Sequence, residues 1–148
     1  MTTFYYRSMA EENGKPKIGR SARCLGVRPG IDITVEQVSR GWLDEQGCLR
    51  PEADKVGSGE LVTVAVRNTR GMSTSLAIES LPTFRKPEAF GGKGNDPLWQ
   101  IEATKIVGDL EAVQDSPTHV SILPSATMLL EKYEAAIAKT QNDWKKVG

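Results

Sequence analysis

Apolar and polar residues alternate through several short segments of the chain, a pattern typical of β-strands that bury one face. The clearest case is 61–67, which is rich in β-branched residues. In 98–102 the same alternation puts Trp99 and Ile101 on one face. The pattern predicts strands at 3–9, 31–36, 61–67, 71–78, 98–102 and 119–123.

The segments between these strands are rich in glycine, proline and polar residues, so we expect them to be irregular. They cover 10–30, 40–60 and 80–97, and loops as long as the last are often functional or mobile. Ser125 is a candidate N-cap for a helix that runs to about Lys146. Residues at helical spacing give this helix one apolar face that should dock on the sheet: Leu129, Tyr133, Ala136, Ile137, Thr140 and Trp144. Short strands, long loops and one long terminal helix predict a compact α+β fold.

Composition is that of one folded domain. The chain has 148 residues, against a usual domain length of roughly 100–200 residues. Hydrophobic residues make up 39% and charged residues 26%, which separates the chain from disordered proteins. We therefore expect a single domain over residues 1–148.

The net charge is zero, with 19 basic and 19 acidic side chains, which argues against bulk electrostatic coating of nucleic acid or of anionic membranes. The charge is unevenly distributed, however. Residues 1–30 hold six basic and two acidic side chains, whereas residues 31–66 hold three basic and seven acidic ones. This asymmetry is either a solvated surface or a basic rim for a phosphorylated ligand beside an acidic surface.

No segment approaches the roughly 18 apolar residues that span a membrane, and the first residues lack the pattern of a secretory signal. Cys24 and Cys48 fit ordinary reduced cysteines. We expect a cytosolic protein, with export open only to a machine that needs no such signal. His119 is the single histidine and no carboxylate cluster has ligand spacing, so no metal site is predicted.

Three features are candidates for chemistry. Arg7 lies in an apolar strand, where its charge either meets an anion or carboxylate or points to solvent. Ser73, Thr74 and Ser75 place hydroxyls on both faces of a strand, suited either to orienting a ligand ribose or to an edge strand. His119 begins a strand and is either a structural histidine or a catalytic one.

Together these features resemble the ADP-ribosyltransferase fold with its compact split β-sheet, and more closely the ADP-ribosyltransferase-like toxin family exported by bacterial type VI secretion. The resemblance is carried by Tyr6-Arg7, by 71–75 (Gly-Met-Ser-Thr-Ser) and by 118–124 (Thr-His-Val-Ser-Ile-Leu-Pro). Met128 and a helix that ends near Trp144 follow. The resemblance covers the first strand and roughly the second half of the chain, and residues 10–60 do not align.

The resemblance implies NAD as the substrate and cleavage of its nicotinamide–ribose bond, through a transition state with positive charge on the sugar. Arg7 would grip a phosphate or orient the ribose. Ser73, Thr74 and Ser75 would support the ribose and the strands around it, with Ser75 among the groups that bind NAD. His119 would hydrogen-bond the NAD or the transferred group, and Tyr6 would stack on the nicotinamide or pack in the core.

The sequence departs from active transferases at the acidic residue, because it contains no Glu-x-Glu. Glu102, on a predicted strand, is the first substitute, with Glu79 and Glu131 behind it. The departure puts transfer in doubt while leaving NAD binding open. The toxin resemblance further implies a bacterial target cell attacked from its cytosol, a cognate immunity protein, and a protein or RNA acceptor for any transfer.

Two other functions compete with an NAD-dependent toxin enzyme. One is a non-enzymatic interaction protein with a degenerate site of the same fold, which the missing Glu-x-Glu favours. The other is a small nucleotide- or RNA-binding module that uses the basic segment 15–28, and this one predicts steeply salt-dependent RNA binding. Release of nicotinamide from NAD separates the first function from both alternatives.

Overall fold

The computed structural model describes residues 2–147, which form mostly antiparallel β-structure with one α-helix near the C-terminal end. In chain order its elements are β1 (Phe4–Ser8), β2 (Glu11–Glu12), β3 (Lys15–Pro16), β4 (Val35–Ser39), β5 (Leu61–Ala65), β6 (Met72–Ser75), β7 (Leu98–Glu102), β8 (Leu110–Gln114), β9 (His119–Pro124), β10 (Met128–Leu129), α1 (Leu130–Lys139) and β11 (Lys145–Val147). Single turns of 3-10 helix lie in the connections, at Arg40–Trp42, Glu52–Asp54, Ile78–Ser80, Glu88–Phe90, Ala103–Lys105 and Gln141–Asp143. The predicted α+β class is confirmed.

The principal sheet has six strands in the order β11-β7-β1-β6-β9-β8. Strands β1 and β7 pair through five residues each, but the register of β1 with β6 consists of one pair, Tyr6 with Ser75. The sheet is therefore split between β1 and β6 into two halves that diverge on either side of that pair. A second sheet has the order β10-β5-β4, and β2 and β3 form a small hairpin.

The core lies between the six-stranded sheet and α1. The helix buries Leu130, Tyr133 and Ile137, and β7 buries Trp99 and Ile101. These side chains belong to one continuous apolar cluster. Each fully buried large apolar side chain stabilises the fold by about 1.5–3 kcal/mol, so the docked face of this helix contributes substantially to stability.

The predicted strand at 31–36 is wrong at its start. The chain makes a turn there, in which the amides of Ile31 and Asp32 both donate to the Arg28 carbonyl. Ile31 is 60% exposed, and only from Val35 does the chain pair with β5. The alternating pattern also missed β8, β10 and β11 as well as the β2–β3 hairpin inside the segment predicted to be irregular.

The terminal helix is shorter than the predicted span from Ser125 to Lys146. It covers Leu130–Lys139, and Leu129, not Ser125, is its N-cap residue. At one end the preceding two residues pair with β5 as strand β10, and at the other the chain leaves the helix after Thr140 and pairs with β7 as β11. Sheet pairing thus overrides the helical periodicity at both ends. Within the described residues no helix is long and apolar enough to cross a membrane.

Candidate functional site

A cavity of about 300 Å³ opens where β1 and β6 diverge. Its volume lies at the lower end of the range of roughly 300–1,000 Å³ that is usual for small-molecule sites. The walls come from β1, β6, the start of β9, and two irregular segments around residues 22–32 and 80–85. The lining residues are Tyr6, Arg7, Ser8, Ala22, Arg28, Asp32, Ser73, Thr74, Ser75, Ser80, Leu81, Pro82, Arg85, Thr118 and His119.

A row of three residues crosses the sheet at this cavity. Tyr6 on β1 is directly opposite Ser75 on β6, and Ser75 is directly opposite His119 on β9. Residues opposite each other in neighbouring antiparallel strands point to the same face of the sheet. The fold therefore brings together three residues that are far apart in the sequence and that were each candidates for NAD binding.

Arg7 occupies the gap between the diverging strands and is only 8% exposed. Its guanidinium donates to three main-chain carbonyls, with Nη1 2.9 Å from Ser73 O and Nη2 2.9 Å from Cys24 O and 3.3 Å from Ala22 O. Burial, followed by the nearby charge of Arg85, lowers the pKa of Arg7 to about 10. The charge faces neither solvent nor a paired carboxylate, so both sequence-based interpretations of Arg7 miss its carbonyl partners.

A second guanidinium, that of Arg85, reaches the same carbonyl oxygen. Arg85 Nη1 donates to Ala22 O at 2.5 Å, and the side chain belongs to the loop between β6 and β7. Among the described residues, neither Arg7 nor Arg85 has a carboxylate oxygen within 4.0 Å. Two cations thus converge on one wall of the cavity without a neutralising partner.

Arg28 differs from these two, because it is neutralised within the cavity wall. Its Nε and Nη2 donate to the two carboxylate oxygens of Asp32, at 3.0 and 2.8 Å. Burial by itself would raise the pKa of Asp32, but the hydrogen bonds from Arg28 outweigh it and the pKa is lowered. The net charge of this pair is zero, so the uncompensated charge in the cavity comes from Arg7 and Arg85.

His119 is held by a carboxylate that the sequence-based candidates did not include. Its Nδ1 lies 2.5 Å from Asp115 Oδ1, and Ser121 Oγ donates to Asp115 Oδ2 at 2.9 Å. Burial would raise the pKa of Asp115, but the hydrogen bonds from His119 and Ser121 lower it. His119 borders both the cavity and a neighbouring groove that Asp115 and Ser121 also line.

The three hydroxyls of 73–75 have different surroundings. Thr74 Oγ1 donates to Val120 O at 2.8 Å, which ties β6 to β9. Ser75 Oγ lies 2.7 Å from Ala77 O and 3.2 Å from Thr118 O, so it is already engaged with the main chain. Ser73 is exposed at the cavity wall, and its carbonyl accepts from Arg7. All three line the cavity, but Thr74 and Ser75 hold the strands in place.

The structure does not bring Glu102 to the cavity. Glu102 is paired with Phe4 at the far end of β1 and lines a separate groove beside Lys105 and Lys145. The two reserve candidates are also elsewhere, because Glu79 is exposed on its 3-10 turn and Glu131 lies on another groove at the start of α1. A periodic pattern shows that a residue is on a strand, but it does not show which end of the strand meets the site.

Carboxylates at and beside the cavity come instead from Asp32 and Asp115. Each stands four residues from its partner in the sequence, Asp32 after Arg28 and Asp115 before His119. Asp115 could have been found from the sequence by its position four residues before the single histidine, His119. Within residues 2–147 no group of three or more histidine, cysteine, aspartate or glutamate side chains is arranged to hold a metal ion.

Half of the basic side chains of residues 1–30 are compensated in space by carboxylates. Arg20 pairs with Glu134 and Arg23 pairs with Asp96, both through short bidentate contacts. Arg28 pairs with Asp32. Three of the four arginines in the segment are therefore neutralised by carboxylates, and the fourth is Arg7. Among the arginines of this segment, only Arg7 brings an uncompensated charge to the cavity.

One family model matches the chain, and its description is Tse2 ADP-ribosyltransferase toxin. The match covers residues 5–144, which includes every residue that lines the cavity. The resemblance predicted from the sequence is confirmed. No curated protein and no solved structure matches the chain.

Proposed function

Since the chain belongs to the Tse2 ADP-ribosyltransferase toxin family, we propose that it acts on NAD in the cavity at the split of the sheet. The proposed reaction is cleavage of the nicotinamide–ribose bond, with ADP-ribose passed to an acceptor or to water. The observation that carries the proposal is the pair of unneutralised guanidinium groups, Arg7 and Arg85, at one wall.

The charge of this wall matches the charge of the ligand. The diphosphate of NAD carries two negative charges, and the cavity offers two guanidinium groups that lack a carboxylate partner. Two like charges that share one carbonyl oxygen repel each other in a half-buried site, and a bound dianion relieves that repulsion. Arginine also suits phosphate oxygens because its donors lie in a planar fork.

The row Tyr6, Ser75 and His119 is proposed to form the wall of the cavity beside the nicotinamide ribose. The Tyr6 ring offers an apolar face at the cavity. The Ser75 hydroxyl is held by main-chain carbonyls, so its role is to fix the strand and the following turn. Nδ1 of His119 is taken by Asp115, which leaves Nε2 as the nitrogen that can meet the ligand or the acceptor.

NAD supplies the reactive bond, which breaks with its electron pair on the nicotinamide nitrogen while the acceptor oxygen bonds the ribose carbon. His119 takes the proton of that acceptor oxygen at Nε2, as a general base. In this proposal His119 replaces the acidic residue that the Glu-x-Glu of other transferases supplies.

A non-enzymatic protein remains a second candidate, and the position of Glu102 favours it. No glutamate among the described residues lines the cavity. A chain of this kind would bind NAD or a partner without breaking the glycosidic bond. Both candidates are compatible with a toxin that has a cognate immunity protein, and we propose that this protein acts by covering the cavity.

The test is to incubate the purified chain with NAD, with and without a bacterial lysate, and to measure free nicotinamide and NAD binding. Arg85→Gln is the central variant, because Arg85 is half-buried on a loop and its loss leaves the core intact. Arg40→Gln is the matched control, since Arg40 is exposed and pairs with Glu60. We further propose that the chain acts in the cytosol of a bacterial target cell, and its expression in the bacterial cytosol, with growth as the readout, tests this place of action.

We expect Arg85→Gln to weaken NAD binding by about tenfold or more, as for loss of a charge-assisted hydrogen bond worth roughly 1.5–3 kcal/mol. Arg40→Gln should bind as the unchanged protein does. Binding of NAD without release of nicotinamide would favour the non-enzymatic candidate. If the unchanged protein does not bind NAD, then NAD is neither its substrate nor its ligand, and the proposal is overturned.

A further inference from the structure

Asp115 stands beside His119 on the turn between β8 and β9. We propose that Asp115 is a positioning residue, which fixes the ring of His119 with its proton on Nδ1 and the lone pair of Nε2 turned to the cavity. This inference deepens the proposed function and rests on it for its catalytic meaning. The geometry of the pair stands independently of that function.

Both oxygens of the Asp115 carboxylate are used. Oδ1 lies 2.5 Å from His119 Nδ1, and Oδ2 accepts from Ser121 Oγ at 2.9 Å. A carboxylate held at both oxygens cannot rotate freely, so the direction of the bond to the imidazole is set. Ser121 is 3% exposed on β9, which anchors this arrangement to the sheet.

The main chain fixes the same turn. Asp115 N–H donates to His119 O at 3.1 Å, and the His119 amide donates to Ser116 Oγ at 3.0 Å. Pro117 follows within the turn and restricts it further. The side-chain contact is therefore one part of a closed turn and differs from a surface ion pair between two mobile side chains.

The pair lies between two openings. His119 lines the cavity and also the adjacent groove of about 240 Å³, together with Asp115 and the charged groups Asp32 and Arg70. A neutral imidazole has one N–H and one lone pair, and a carboxylate that accepts from Nδ1–H leaves the lone pair on Nε2. Without Asp115 either nitrogen can carry the proton, and only one of the two forms accepts a proton at Nε2.

The chain offers a direct readout, because His119 is its only histidine. In a ¹⁵N-labelled sample the chemical shifts of the two ring nitrogens give the position of the proton without assignment of other residues. The spectrum is recorded at about pH 9, where a histidine ring is ordinarily neutral. The variants are Asp115→Ala, which removes the acceptor, Asp115→Asn, which keeps one acceptor oxygen, and Asp109→Asn as a control on a surface carboxylate near Lys132.

We expect the unchanged protein and Asp109→Asn to carry the proton on Nδ1. Asp115→Ala should lose this preference and lower kcat for nicotinamide release about tenfold or more, with KM for NAD changed by less than about twofold. Asp115→Asn should retain the Nδ1 proton and recover part of kcat. Unfolding curves check that each variant is folded.

A proton on Nε2 in the unchanged protein would overturn the inference. An equal loss of kcat in Asp115→Ala and Asp115→Asn, with no change in the ring proton, would also overturn it. If Nδ1 carries the proton but NAD is not cleaved, the proposed function fails while the positioning of the ring by Asp115 stands. The spectrum and the kinetics thus separate the two ideas.

Discussion

Tyr133 links the helix to the middle of the sheet through its hydroxyl, and its replacement by phenylalanine tests the packing described above. The residue is fully buried. Its Oη accepts from the Met72 amide at 3.2 Å and donates to the Ile122 carbonyl at 2.6 Å. These two main-chain groups belong to opposite residues of β6 and β9, so the hydroxyl completes the hydrogen bonding between the two strands. Burial raises the pKa of Tyr133 well above its usual range, which keeps the donor proton in place.

Tyr133→Phe leaves a buried amide and a buried carbonyl without this partner. An unsatisfied buried polar group costs about 1–3 kcal/mol, so two of them predict a loss of about 2–6 kcal/mol in the free energy of unfolding. The removed atom is a single oxygen, so the apolar packing around the ring changes little. Urea denaturation, monitored by tryptophan fluorescence, measures this loss. The slope of the unfolding free energy against urea concentration should stay unchanged.

Tyr5→Phe is the matched control. Tyr5 is half-buried on β1, and its hydroxyl makes no hydrogen bond to the residues that the structure describes. This change should alter stability by less than about 0.5 kcal/mol. A loss below about 1 kcal/mol for Tyr133→Phe, or an equal loss in both variants, would refute the role of the buried hydroxyl.

Three further outcomes are expected. Gly71→Ala should lower the free energy of unfolding by about 1–3 kcal/mol, because the added Cβ would lie 2.3 Å from the Ile122 carbonyl oxygen. Gly57→Ala is the control, since its Cβ would meet no atom within 4 Å, and it should be close to neutral in the same denaturation assay. Equal stabilities of the two variants would contradict this prediction. The double change Asp32→Asn and Asp115→Asn should lower the free energy of unfolding at pH 7, because carboxylates with lowered pKa values stabilise the fold while they are ionised. The difference from the unchanged protein should disappear as the pH falls below about 4, where these carboxylates become protonated. A difference in unfolding free energy that stays constant down to low pH would argue against this role. NAD binding should weaken several-fold between low salt and about 0.5 M salt, because salt screens the attraction between the two guanidinium groups and the dianion. Titration calorimetry measures this change. Binding that does not depend on salt would count against the role of Arg7 and Arg85 in holding the diphosphate.

The sequence pattern is most informative where a strand is apolar, alternating and internal to the sheet. Residues 61–67 and 98–102 met these conditions, and both strands are present. The pattern fails for β8, whose Leu110 is buried while Glu111 and Gln114 are exposed, because an edge strand has only a short apolar face. It also fails at the ends of α1, where pairing with distant strands competes with helical periodicity.

The site was partly predictable for the same physical reasons. A charge in an apolar strand and a single histidine are unusual enough to mark Arg7 and His119 from sequence, and both line the cavity. Arg85 was not predictable, because an arginine in a long polar loop has no distinguishing pattern. Its significance arises from sharing the Ala22 carbonyl with Arg7, a contact between segments that only the folded chain brings together.

The strand order determines the stage of synthesis at which the half-sheet around Arg7 can be completed. The half-sheet that holds Arg7 consists of β1, β7 and β11, whose residues range from Phe4 to Val147. Contacts between such distant segments form late, because each closes a long loop of chain. During synthesis Arg7 therefore leaves the ribosome before β7 and β11 do, and its half-sheet stays unfinished until β11 has emerged. Synthesis therefore delays the completion of this half-sheet, and a chain truncated before β11 should lack the complete sheet.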